Sequence, residues 1–165
     1  SLQAFVAEKA VLKSIVIAVG NSKLRETIHL RVEAASLPID TIVADSALVY
    51  DTTSVGIGSL ISPGTIISSG VHIGRGVIVN SHAAIAHDCK IGDFVTIGPG
   101  AKVNGCVEIG EHAMIGSGAL IRQGTIDHPR RIGRGAIIGM GAVVLDDIPD
   151  NETWVGNPAR LRSRK

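Results

Sequence analysis

The chain has 165 residues, with 16 Lys plus Arg against 15 Asp plus Glu and a formal charge of +1, so it is sized for one domain and offers no general electrostatic reason to expect a nucleic-acid or anionic-membrane partner. Two cysteines cannot build a disulfide framework and suit a reducing cytoplasm. Twenty glycines against one Trp, one Tyr and two Phe, with 45% of residues hydrophobic, imply a core of small aliphatic side chains.

In chain order, Leu2 to Ala10 looks helical. Ser14 to Val19 is a continuous apolar run ending at Gly20. Asn21 or Ser22 is placed to cap a helix that carries Leu24, Ile28 and Val32 on one face, and Pro38 ends it. This strand, turn and helix need a neighbouring parallel strand to be covered. Residues 1–38 are therefore expected to be a short, incomplete α/β segment. It has Gly20 but no G-x-G-x-x-G, so the dinucleotide fingerprint is missing.

Residues 39–165 read as a second unit built on a six-residue repeat. Stepping by six from Val43 meets Val49, Val55, Ile61, Ile67, Ile73, Val79, Ile85, Ile91, Ile97, Val103, Ile109, Ile115 and Ile121, all Val or Ile. Four places after each of the first thirteen stands a small or β-branched residue or Cys89. One step then shortens to five at Ile126, and sixes resume through Ile132, Ile138 and Val144. A period of six fits neither a helix nor a hairpin, but it suits short parallel strands separated by bends, three of which close a triangular coil of about 18 residues. Stacking about six coils buries the aliphatic column. The uncharged stretch from Thr52 to Gly74 belongs to this pattern, because its glycines, serines and Pro63 exclude a membrane helix.

The polar stretch Asn80-Ser-His-Ala-Ala-Ile-Ala-His-Asp-Cys89 interrupts the pattern with two histidines at bends, where side chains point outward. An imidazole titrates near neutrality, and the adjoining Asp88 carboxylate can favour the acceptor tautomer of His87, which makes the pair a candidate general base. The residue stacked one coil above His87 is Gly105, whose amide has no side chain to shield it. Cys89 falls on an inward position and Cys106 near a bend, so a disulfide between them is not expected.

These hexads, together with Asn80, Ile85, His87, Asp88, Cys89, Ile91 and Gly92 and the ending Val155-Gly-Asn-Pro-Ala-Arg160, resemble the hexapeptide-repeat acyltransferases, specifically the sialic-acid O-acetyltransferase and UDP-amino-sugar N-acetyltransferase group. The resemblance implies an all-β, left-handed parallel β-helix and places Ile15 to Leu30 at the end of a sugar-nucleotide-binding domain. It implies acetyl transfer from acetyl-CoA to an amine or hydroxyl of a nucleotide-linked sugar, without a metal. In such enzymes the position of His87 is the base, Asp88 orients it, and the Gly105 amide polarises the thioester carbonyl. Asn80 and His82 are then expected beside the acceptor. Thr96 stands where some members carry a histidine that holds the thioester, so its hydroxyl takes over that contact or the contact is absent. Arg160, with Arg162, Arg164 and Lys165, forms a basic tail suited to the CoA phosphates. A homotrimer is implied, because CoA sites in the group lie between adjacent β-helices.

Two other readings compete. Gamma-class carbonic anhydrases share the β-helix and a His-x4-His followed by Cys, which His82, His87 and Cys89 resemble, but Ser46 occupies the place of the third zinc-binding histidine. A non-catalytic assembly module would use the β-helix only as a surface.

Overall fold

The computed structural model describes residues 14–162. From Ile42 onward the chain winds as a parallel β-helix with three faces. The first face carries the strands Ile42–Val43, Leu60–Ile61, Ile78–Val79, Thr96–Ile97, Met114–Ile115 and Ile137–Ile138, and closes with Thr153–Val155 and an antiparallel Arg160–Leu161. The second holds Leu48–Val49, Ile66–Ile67, Ala84–Ile85, Lys102–Val103, Leu120–Ile121 and Val143–Val144. The third holds Ser54–Val55, His72–Ile73, Lys90–Ile91, Val107–Ile109 and Arg130–Ile132.

The register explains why six-residue spacing builds this shape. Each rung needs only an aliphatic side chain to meet the next, as Ile61 meets Val79 and Val79 meets Ile97. From Ile61 to Ile121 every sixth residue is buried, and the small residues between them, such as Ala83, Cys89, Ala101 and Ala113, fill the narrow space that remains.

Four expectations from the sequence need correction. The column opens at Val43, but that side chain is 43% exposed, because among the described residues no coil lies beneath it. Ile126 is not a rung: it is 81% exposed, and Ile109 pairs directly with Ile132. Residues 122–129 instead leave the coil as a loop, so that this turn is longer than the others. The third correction concerns the helix, and the fourth the apolar run before it.

That helix, α1, spans Ser22–Ala34, and the Asn21 side chain caps it by accepting from the Leu24 amide at 3.0 Å. The face it buries consists of Arg25, His29 and Val32, whereas Leu24 is 52% exposed. The helix lies along the corner between the third and first faces, where turn carbonyls point outward and must find donors. Arg25 supplies them, its Nε donating to Gly76 O at 2.7 Å and its Nη2 to Phe94 O at 2.6 Å. The His29 ring meets Phe94 edge-on at 5.3 Å, and Phe94 stacks on His112 at 5.5 Å. A Cβ on Gly58 would fall 2.1 Å from the His29 ring, so this corner admits the helix only because glycine stands there.

The apolar run before α1 forms a single parallel bridge, Ile15 to Ile39, rather than a full strand. Ile17, Val32, Leu37 and Ile39 close a small second core between it and the helix. The helix expected over Leu2 to Ala10 lies outside the described residues. Among those described, no helix is long and apolar enough to cross a membrane.

Candidate active site

His87 and Asp88 stand at the corner between the second and third faces, directly after Ala84–Ile85 and before Lys90–Ile91. Asp88 takes a left-handed conformation with φ +57°, which an Asp tolerates better than most side chains. Its amide donates to Ser69 O in the coil below at 3.1 Å. The turn brings the carboxylate back onto its neighbour, and His87 Nδ1 lies 2.9 Å from Asp88 Oδ2. With Nδ1 engaged as donor, Nε2 is left as the acceptor nitrogen. Both side chains are at least half exposed.

Gly105 lies above that ring. A Cβ built on it would fall 2.6 Å from His87 Nε2, so a larger residue would push the imidazole aside. Its carbonyl accepts from the Gly124 amide at 3.0 Å, while its own amide donates to no acceptor among the described residues. A basic nitrogen and an unspent N–H donor thus share one exposed corner. This is the pairing needed to take a proton from a nucleophile and hold negative charge on a carbonyl oxygen.

The other candidates are placed elsewhere. Asn80 and His82 occupy the next corner of the same coil, between the first and second faces. Asn80 Nδ2 donates to Ile97 O at 2.9 Å, as Asn104 Nδ2 does to Ile121 O at 2.8 Å. That carboxamide therefore has a structural task in joining coils. The His82 ring packs over Gly64. Thr96 is on the first face, which lies opposite the His87 corner, and its hydroxyl accepts from Arg25 Nη2 at 3.0 Å. It lines a cavity of about 350 Å³ with Asn21, Ser22, Lys23 and His112. Arg160 is exposed on the last strand, where its guanidinium donates to Ala159 O.

The cysteines are free. Cys89 points into the coil and donates to Asn104 O at 3.1 Å, and burial pushes its thiol up to about 11. It is thus neither a nucleophile nor a ligand near neutral pH. His82 and His87 stand at different corners of the coil, on either side of Ala84–Ile85, and Ser46 occupies the place of the third imidazole in the carbonic-anhydrase reading. Cys106 differs: it stacks on Asp88 and shares with Gly70, His72, Asp88, Thr125 and Pro129 the wall of a cavity of about 250 Å³. The one-coil spacing of Cys106 from Asp88 is the sequence signal that relates them, and the loop that covers them carries Ile126 at a spacing that imitates a rung.

Residues 88–123 match the bacterial transferase hexapeptide (six repeats) family. No curated protein matches the chain. Among solved structures, WeeI from Acinetobacter baumannii AYE is 42% identical over 98% of this chain and 76% of its own, with a TM-score of 0.95. The acetyltransferase domain of PglB from Neisseria gonorrhoeae FA1090, in complex with acetyl coenzyme A, is 36% identical over 90% of this chain and 70% of its own, with a TM-score of 0.84. PerB from Caulobacter crescentus, in complex with CoA and GDP-perosamine, is 28% identical over 96% and 74%, with a TM-score of 0.90. The fold is the left-handed β-helix of the hexapeptide-repeat transferases. The chain belongs to the sugar acetyltransferases of that family.

Proposed function

We propose that the protein transfers an acetyl group from acetyl-CoA to an amine or hydroxyl of a nucleotide-linked sugar in one direct step, with His87 as general base. His87 Nε2 accepts the proton of the acceptor as its N or O attacks the thioester carbon. The Gly105 amide donates to the carbonyl oxygen as that oxygen gains charge, and Asp88 holds the ring and stabilises the imidazolium. Collapse breaks the C–S bond, and the proton on Nε2 passes to the departing CoA thiolate. No metal enters these steps. The observation that carries the reading is the Asp88–His87 pair held directly under an unspent Gly105 amide. The relatives crystallised with acetyl coenzyme A, and with CoA and GDP-perosamine, support the donor and the acceptor class.

The acceptor side is assigned to Asn80 and His82, and the donor phosphates to Arg160; Thr96, bonded to Arg25 on the face opposite His87, does not meet them within one subunit. Residues 14–38, with their bridge at Ile15 and the helix α1, contribute to the nucleotide side, supported by the polar cavity that Asn21, Ser22 and Lys23 share with Thr96. The working unit is a homotrimer with the His87 corner facing a neighbour. Support comes from the outer side of the second face, which flanks that corner. Leu48 and Ile66 are 55% and 48% exposed there, and Leu120, beyond the exposed Lys102, is 43% exposed, apolar surface that a neighbouring copy would cover. The third face instead presents charged partners, with Lys90 Nζ 3.0 Å from Glu108 and Arg131 Nε 3.5 Å from it.

Thiol release from acetyl-CoA across a panel of nucleotide amino sugars tests the activity. His87→Ala is expected to lower turnover about 100-fold to 10,000-fold, or roughly 3 to 5 kcal/mol of barrier, while acetyl-CoA still binds. A folded variant that acetylates the acceptor at the wild-type rate would remove His87 from the mechanism. Light scattering at micromolar concentration is expected to report a trimer, and a monomer there would remove the shared site.

A further inference from the structure

Cys106 takes a left-handed conformation, φ +57°, as Asp88 does one coil below, while the position beneath Asp88 in the same column is Gly70, also left-handed at +68°. Glycine adopts that conformation freely, and a β-substituted side chain costs about 1 kcal/mol or more there. The Cys106 thiol also makes no hydrogen bond among the described residues, unlike Cys89, whose thiol is spent on a carbonyl. It opens instead onto the cavity of about 250 Å³ that reaches Asp88. A nitrogen of His87, a carboxylate oxygen of Asp88 and the sulfur of Cys106 all lie within 4.8 Å of one another.

We propose that His87, Asp88 and Cys106 form an inhibitory site for a thiophilic divalent cation of the zinc class, and that its occupation switches the transferase off. One imidazole nitrogen, one carboxylate oxygen and one thiolate are a ligand set that zinc accepts, at about 2.0 Å to 2.3 Å from the metal, with water in the fourth position. Three atoms already within 4.8 Å need only rotate about side-chain bonds to meet those lengths. The thiol gives up its proton to solvent on binding, so affinity rises with pH. Either mode of histidine ligation disables the base. A metal on Nε2 occupies the catalytic lone pair directly. A metal on Nδ1 displaces the proton shared with Asp88 to Nε2, which then donates and no longer accepts.

The inhibition rests on His87 being the base, whereas the site itself does not, and the test separates the two. Zinc is titrated into the full chain against a chromophoric chelator, and cobalt is titrated in parallel to read the thiolate-to-cobalt absorption band. Wild-type protein is expected to take up one zinc per chain and to develop the cobalt band. Cys106→Ser and Cys106→Ala, checked for unchanged melting temperature, should bind zinc about 100-fold more weakly or worse and give no band. In the transfer assay zinc should inhibit the wild type reversibly, with chelator restoring the rate. Both variants should keep the wild-type rate in the absence of metal and resist inhibition. No zinc uptake and no cobalt band in the wild type would overturn the site, whatever the variants do. Tight uptake through Cys106 with undiminished acetyl transfer would keep the metal site, overturn the switch and remove His87 from the role of base.

Discussion

At the level of single residues, catalysis here depends on what a glycine leaves open. Gly105 has no need of a left-handed conformation, but a Cβ there would reach within 2.6 Å of His87 Nε2. The atom it would strike is the free end of an exposed side chain, so the ring can swing away at little cost to folding. Gly105→Ala is therefore expected to leave the melting temperature almost unchanged and to lower turnover about 100-fold, the penalty of misplacing a catalytic group by about 1 Å. Paired thermal melts and thiol-release rates check this. A proportionate loss of stability and rate would mean that the glycine serves the turn alone. Cys89 and Cys106 show the same dependence on position: one thiol, inside the coil, is raised to about 11 by burial, and the other opens onto the cavity beside Asp88.

At the level of elements, α1 is held by groups that sequence patterning assigns to solvent. Arg25 is fully buried, and burial lowers its guanidinium to about 10, which still leaves it charged at neutral pH to serve the carbonyls of Gly76 and Phe94. His29 is also fully buried, and neither ring nitrogen has a hydrogen-bond partner among the described residues. Desolvation lowers its pKa, assisted by Arg75 and Arg25 and opposed by Glu33. His112 is lowered as well, again chiefly by desolvation, despite Glu26 at 3.3 Å. The folded chain thus resists protonating two imidazoles that the unfolded chain protonates near pH 6.5. The resulting stability is complete above about pH 6.5 and is lost as the pH falls below it. Melting temperature is expected to drop on acidification from pH 7 to 5, and His29→Leu should flatten that slope without abolishing it, since His112 remains. An unaltered slope in the variant would show that His29 does not carry this dependence.

At the level of the whole molecule, the β-helix is a one-dimensional stack in which a rung is worth what its two neighbours cover. Val79 lies between Ile61 and Ile97 and is fully buried, whereas Val43 at the open end is 43% exposed. Val79→Asp would strand a charge between coils and is expected to cost about 4 kcal/mol or more. Val43→Asp is expected to cost about 1 kcal/mol or less. Chemical denaturation of the two variants measures the difference, and equal losses would contradict the one-dimensional account.

The amino-acid sequence by itself determined the coil, the three faces and the stacking of Gly105 on His87, because each of these follows from local spacing repeated along one axis. Once the period is known, a neighbour in space is a neighbour at a fixed distance in sequence. The same rule held the information that Cys106 stacks on Asp88, though a cysteine at a bend gives no sign of chemistry until its partner is in view. Only the tertiary structure decided what lies outside the repeat. The loop of residues 122–129 carries Ile126 at a spacing that imitates a rung, and only the pairing of Ile109 with Ile132 shows that the coil closes without it. The buried face of α1 was hidden for a different reason: the donors that Arg25 supplies are required by carbonyls some fifty and seventy residues away, and helix periodicity reports apolar faces but not the needs of a distant backbone.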